Sequence, residues 1–112
     1  MSTLKITTRD TRTGPVLEII GDLDYSNAPE LRARLTTLDL QPGQRLVLDL
    51  AGLEFCDSSG ITALIAARNH ADAAQADIAL AAVPHHTLRV LHIVGLDQIF
   101  RLYPDSETAT GA

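Results

Sequence analysis

Near the middle of the chain, Leu46-Val47-Leu48-Asp49-Leu50 is an almost unbroken apolar run. A strand that points apolar side chains in both directions cannot rest with one face in water. It reads as a central parallel strand, buried on both faces. Parallel neighbours need crossover helices, and the flanking sequence has the pattern for them. From Ile61 to about Ala74 an Ala-rich stretch carries Ile61, Leu64 and Ile65 toward the core, and Ala63, Ala66, Ala67 and Ala71 let it lie close to the sheet. Upstream, Asn27-Ala28-Pro29-Glu30 resembles a capping box with Asn27 as N-cap. Ala28, Leu31, Leu35 and Leu38 then share one face of a helix that runs to about Leu38, and Gln41-Pro42-Gly43-Gln44 breaks it.

The remaining elements follow from shorter signals. Leu4 to Thr8 alternates weakly, as a first edge strand does, and Asp10 to Pro15 is a turn cluster. Val16 to Ile20 is a second strand ending at Gly21. Asp77 to Val83 is a further strand. Pro84 suits the first turn of a third helix with Leu88, Leu91 and Val94 inward, and Gly95 stops it. Leu96 to Tyr103 fits one helical turn and a last edge strand. Pro104 to Ala112 is small and polar and is expected to fray. The order predicts one α/β domain over residues 1–112, with an ordered core of about 4–103. Its mixed central sheet is expected to have about four to five strands, with helices mainly on one face.

At 112 residues with 46% hydrophobic content, such a domain can bury a core without disulfides or metal. The single cysteine, Cys56, has no internal bridging partner, no apolar run approaches a membrane span, and Met1-Ser2-Thr3-Leu4-Lys5 lacks the features of a leader. The expected compartment is a reducing cytoplasm. A formal charge of −5 with scattered Lys and Arg argues against nucleic acid and against an anionic membrane. Aromatics are 4%, so stacking platforms for bases are nearly absent. What remains as a partner is another protein.

The chemistry of the chain concentrates in Asp57-Ser58-Ser59-Gly60, between the apolar run and the Ala-rich helix. Asp and Ser are favoured at helix starts for their backbone hydrogen bonds, and spacing alone favours that plain capping account. The same placement suits a phosphate, because the first helical turn has unpaired N–H groups and the positive end of the helix dipole. Phosphorylation of Ser58 would add about −1.5 to −2 of charge beside Asp24 and Asp57 with little cost to the fold. Cys56 reads as a small buried hydrophobe. His70, His85, His86 and His92 lack a metal-ligand spacing, and His92 fits ordinary packing beside Leu88. Gly21-Asp22-Leu23-Asp24 fits a strand-ending turn as readily as a functional loop. No serine-nucleophile elbow, dinucleotide fingerprint or P-loop is present. The chain reads as the target of chemistry done by another protein, with no catalytic residue, cofactor or metal of its own.

Taken together, Gly21-Asp22-Leu23-Asp24, Leu31-Arg32, the strand Leu46 to Leu50, Leu53-Glu54-Phe55-Cys56-Asp57-Ser58-Ser59-Gly60-Ile61, Pro84, Leu88-Arg89-Val90-Leu91 and Gly95 to Phe100 resemble, in order and spacing, the bacterial anti-sigma factor antagonists. These are small stand-alone STAS domains, and the resemblance covers roughly Leu4 to Leu102. It implies a partner-switching cycle in transcription regulation. The unphosphorylated antagonist binds an anti-sigma factor that is also a serine kinase of the histidine-kinase-like ATPase fold, which frees a sigma factor. Phosphorylation releases the antagonist, and a PP2C-type phosphatase restores it. By motif position Ser58 is the acceptor, with Ser59 the second choice. Asp24, Asp57, Ser58, Ser59 and Gly60 form the implied switch surface, Gly60 by letting the partner approach closely. The chain departs from the family in its short C-terminal tail and in Asp22, where Glu is commoner. The competing readings are a STAS scaffold subunit of a signalling complex and an accessory subunit of a lipid transporter. An enzyme fits least.

Overall fold

The computed structural model describes residues 3–111. Met1 and Ser2, read above as part of a leaderless N-terminus, and Ala112, the last residue of the expected tail, lie outside the described residues. β1 (Leu4–Thr11) and β2 (Gly14–Leu23) form an antiparallel hairpin, and every later strand joins in parallel. β3 (Arg45–Asp49) pairs with the first half of β2, and β5 (Asp77–Ala81) pairs with β3. β6 (Arg101–Tyr103) closes that edge. A short strand that sequence reading passed over, β4 (Leu53–Cys56), pairs with the second half of β2, so the described sheet has six strands.

Gly21 does not end the second strand. It sits at an irregularity between Gly21 and Asp22, with φ +95°, and β2 continues to Leu23. A Cβ at Gly21 would stand 2.0 Å from the Thr3 carbonyl oxygen, so only glycine lets the hairpin close there. This bend allows the long β2 to be flanked first by β3 and then by β4.

Alternation along the strands sends side chains to two cores. Leu17, Ile19, Leu46, Leu48, Ile78 and Leu80 face the helices, while Val16, Val47, Ala79 and Ala81 face the other way. The first face is covered by α1 (Ala28–Thr36), α2 (Ser58–Ala73) and α3 (His85–Ile93). Leu31, Leu64 and Leu91 are fully buried in it, and each such leucine contributes about 1.5–3 kcal/mol by leaving water. Pro84 is the residue before α3 rather than within it. Val94, expected inward, is exposed, because α3 ends with Val94 at its cap and Gly95 turns the chain away.

The second face is covered by the segment expected to fray. α4 (Ser106–Ala109) is one helical turn capped by Asp105, whose carboxylate accepts from the Thr108 N–H at 2.8 Å. That bond and the Thr108 hydroxyl hold the Asp105 carboxyl below its ordinary range. Ala109 is fully buried against Val16, Val47, Ala79 and Ala81. Arg45 donates to the Ala109 carbonyl at 2.9 Å and to the Tyr103 hydroxyl at 3.0 Å, and Thr13 donates to the Thr110 carbonyl at 2.8 Å. The tail lacks an apolar stripe and needs none, since one small residue fits over the Val and Ala floor.

Ala109→Glu should therefore lift α4 from the sheet and lower stability by about 1–2 kcal/mol, a fall of several degrees in Tm. Urea unfolding with hydrogen exchange on the Ala109 and Thr110 amides checks this. Unchanged protection would show that the tail does not depend on the Ala109 seat.

Candidate functional site

The pairing of β4 with β2 builds the site. Phe55 lies opposite Asp22, and Cys56 lies opposite Leu23. In a parallel register the next residue of each strand emerges at the same end of the sheet, which brings Asp24 and Asp57 to one pole. The Asp57 N–H donates to the Leu23 carbonyl at 3.2 Å and closes the ladder. α2 begins immediately after it. Asp57 is extended at the N-cap, with ψ −171°, and its Oδ1 accepts from the Gly60 N–H at 3.0 Å. Its Oδ2 accepts from the Tyr25 N–H at 3.2 Å, which ties the β2–α1 loop to the start of α2.

Ser58 is exposed at the first position of α2, and its hydroxyl takes part in no hydrogen bond among the described residues. Ser59 is half-buried and lies toward α1, where Tyr25, Pro29, Arg32 and Thr62 border a shallow recess. On the other side of Ser58, α2 and α3 leave an open groove with Cys56, Ile61, Ile65, Val90, Val94 and Leu96 along it. Val90 and Val94 are substantially exposed there, and Tyr25 stands out at 83% exposure. The free hydroxyl thus sits between an acidic loop and an apolar trough.

Gly60 faces inward. It is buried, and a Cβ there would meet Cys56 Sγ at 2.6 Å and the Leu23 carbonyl oxygen at 2.7 Å. The close approach that requires glycine is that of α2 to the ends of β2 and β4, and it corrects the expectation that Gly60 opens room for a partner. Cys56 fills the same junction. Burial, with the Asp57 charge beside it, pushes its thiol up to about 12 from an ordinary 9.0, so it stays protonated and unreactive at neutral pH.

The capping box expected at Asn27 is not formed. Asn27 is 2% exposed, and although its carbonyl accepts from the Glu30 N–H at 2.8 Å, its side chain makes no cap bond to α1. Its Oδ1 accepts from the Asp24 N–H at 2.9 Å, and its Nδ2 donates to the Asp22 carbonyl at 2.9 Å. Asp24 Oδ1 in turn accepts from the Ser26 N–H at 3.0 Å and the Ser26 hydroxyl at 2.7 Å. Asn27 stands at the start of α1, as its pattern predicts, but its amide braces the preceding loop instead of capping the helix. The signal available was the adjacency of Asn27 to the Asp22-Leu23-Asp24 loop, which a buried amide can brace from within.

The histidines lie apart from this pole. His92 is exposed, not packed, with Nδ1 2.8 Å from Asp97, and His86 Nδ1 lies 3.1 Å from the Thr87 hydroxyl. Among the described residues no three His, Cys, Asp or Glu gather as a metal site, and no helix is long and apolar enough to cross a membrane.

The family model described as "Mlab, STAS domain" matches residues 6–104. The chain belongs to the STAS domain family. It is 29% identical over 100 residues to the anti-sigma-F factor antagonist RsfB of Mycobacterium tuberculosis, covering 89% of this chain and 81% of that protein. The crystal structure of an anti-sigma factor antagonist from Mycobacterium paratuberculosis superposes with a TM-score of 0.82 at 28% identity, covering 97% of this chain and 95% of that one. The unphosphorylated form of the anti-sigma factor antagonist SpoIIAA shares the fold, with a TM-score of 0.75 at 18% identity over 94% of this chain and 93% of that one.

Two outcomes follow from this packing. Gly60→Ala should cost about 1–3 kcal/mol, because the methyl overpacks a backbone carbonyl, and denaturant unfolding measures it. For Cys56 the folded state holds its proton more tightly than the unfolded state. Its contribution is therefore complete below the unfolded pKa near 9.0 and is lost as pH rises from there toward about 12. Cys56→Ala should flatten that alkaline decline in unfolding curves taken across this range, and an identical decline in the variant would count against the assignment.

Proposed function

We propose that the chain is a cytoplasmic anti-sigma factor antagonist switched by phosphorylation at Ser58. Unphosphorylated, it binds an anti-sigma factor that is also a serine kinase of the histidine-kinase-like ATPase fold, and so frees a sigma factor. The kinase, using Mg-ATP, phosphorylates Ser58 and releases it, and a PP2C-type phosphatase restores it. One observation carries the reading. The Ser58 hydroxyl is exposed and uncommitted at the first turn of α2, beside the Asp57 cap and the apolar α2–α3 groove. Ser59, half-buried toward α1, is the second choice. The likeness to named antagonists supports the same reading.

The physics of the switch is local. A phosphate on Ser58 finds the positive end of α2, so the fold tolerates it. A partner seated on the groove would have to strip water from a dianion flanked by Asp24 and Asp57, which opposes docking. Asp24, Asp57, Ser58 and Ser59 are the proposed switch surface, with Gly60 supporting it from beneath. The chain itself performs no chemistry in this cycle.

The test is intact-mass spectrometry with peptide mapping after incubation with Mg-ATP and the anti-sigma factor serine kinases of the same genome. One phosphate on Ser58 is expected. Ser58→Ala should bind the kinase constitutively, and Ser58→Asp should weaken binding about tenfold or more. No phosphate with any kinase, from folded protein, or equal binding by both variants, would turn the reading to a STAS scaffold or transporter-accessory subunit.

A further inference from the structure

Asn27 is the buried side chain whose bonding the switch described above leaves without a purpose. It is closed off from solvent and cannot meet a partner protein, yet both ends of its amide are spent on the loop that carries Asp24 and Tyr25. A buried amide is costly unless satisfied, and a side chain needed only to start α1 would have bonded to an N–H of α1, which here only the Asn27 backbone carbonyl does. Asn27 instead clamps the loop across its own turn, from the Asp22 carbonyl to the Asp24 N–H. Its backbone adds to the clamp, since its N–H donates to the Asp24 carbonyl at 3.2 Å.

The clamp leads to the acceptor in three steps. Holding the Asp24 backbone fixes the start of the loop, and the Asp24 carboxylate then takes both the N–H and the hydroxyl of Ser26. Between those two residues, Tyr25 is left with its side chain almost wholly in solvent and its N–H aimed at Asp57 Oδ2. Asp57 caps the turn on which Ser58 stands. A single buried amide therefore sets the Asp24–Tyr25 loop against the acceptor turn without touching it.

We infer that Asn27 is a positioning residue for the Ser58 switch, holding the Asp24–Tyr25 loop in the conformation that the kinase reads. This rests on the proposed antagonist function. It predicts that loosening the clamp weakens recognition of the protein as a substrate while leaving phosphoryl transfer on Ser58 intact once docked.

The experiment compares Asn27→Ala with Leu31→Ala, a fully buried core position on α1 that makes no loop contact of this kind. Ser26→Ala is the third variant; it removes the exposed hydroxyl bond to Asp24 and leaves the buried core untouched. The kinase that phosphorylates Ser58 in the mass-spectrometry test, with Mg-ATP, is the probe. The expected result is a KM for Asn27→Ala raised about tenfold with kcat within about twofold, a smaller rise of about twofold for Ser26→Ala, and an unchanged KM for Leu31→Ala. Hydrogen exchange should show the Tyr25 amide losing protection in Asn27→Ala alone. Equal KM values for the parent, Asn27→Ala and Ser26→Ala would overturn the inference and leave the phosphorylation reading standing. So would the same rise in Leu31→Ala, which would mark general destabilisation. A parent protein that no kinase phosphorylates overturns both together.

Discussion

The carboxylate of Asp57 closes two hydrogen bonds at once, one to the Gly60 N–H within its own helix turn and one to the Tyr25 N–H across the sheet end. The first satisfies a donor that every helix start leaves open. The second is possible only because β4 runs parallel to the last residues of β2 and delivers Asp57 beside the β2–α1 loop. Remove that pairing and the helix start, the acidic loop and the Ser58 hydroxyl have no fixed relation. The bend at Gly21 and the close packing at Gly60 exist to permit it. Each is a place where a single methyl would collide with backbone.

The rest of the domain supports this pole from a distance. A central sheet with parallel strands has to be covered on both faces, and the three longer helices cover only one. The chain completes the other face with one turn of tail, seated by Ala109 and fastened through Arg45 and Thr13. Arg45 also meets Asp77 at 3.1 Å and lies over the Tyr103 ring. One guanidinium thus joins the starts of β3 and β5 to the tail, at the opposite end of these strands from Ser58. Anchoring at one end lets the Ser58 turn at the other face solvent without exposing the core.

What was legible in the sequence was periodicity and position. The apolar run at Leu46 to Leu50 announced a strand buried on both faces, and Asp57-Ser58-Ser59-Gly60 announced the start of the helix that follows. The family match bears out the STAS reading made from the motifs. The misses share a cause: each depended on a contact that apolar periodicity and capping patterns do not encode. β4 is four residues long with two of them exposed, so it carries no alternation to detect. Asn27 followed by Glu three residues later is the pattern of a capping box, but the amide found better partners in Asp22 and Asp24 across a turn. The tail had no apolar stripe, yet the demand of Val47 for cover on the second face was already in the sequence, and only the tail was left to meet it.

On the proposed reading, the same geometry explains how one phosphate can change binding without changing the fold. Within the free chain, a phosphate on Ser58 faces repulsion from Asp57 and Asp24, but it does so in water, where an effective dielectric constant near that of solvent reduces each pair to about 1 kcal/mol or less. The amides of the first turn and the helix dipole offset part of even that. Docking removes the water. Like charges then repel across a medium of far lower dielectric constant, where the same pairs are worth several-fold more, and the largely apolar groove along Ile61, Ile65, Val90 and Val94 has no cation in its lining to offset a dianion. The penalty therefore falls almost wholly on the complex. A domain with only about 5–15 kcal/mol of net stability can carry such a switch because the repulsion becomes large only when a second protein closes over it.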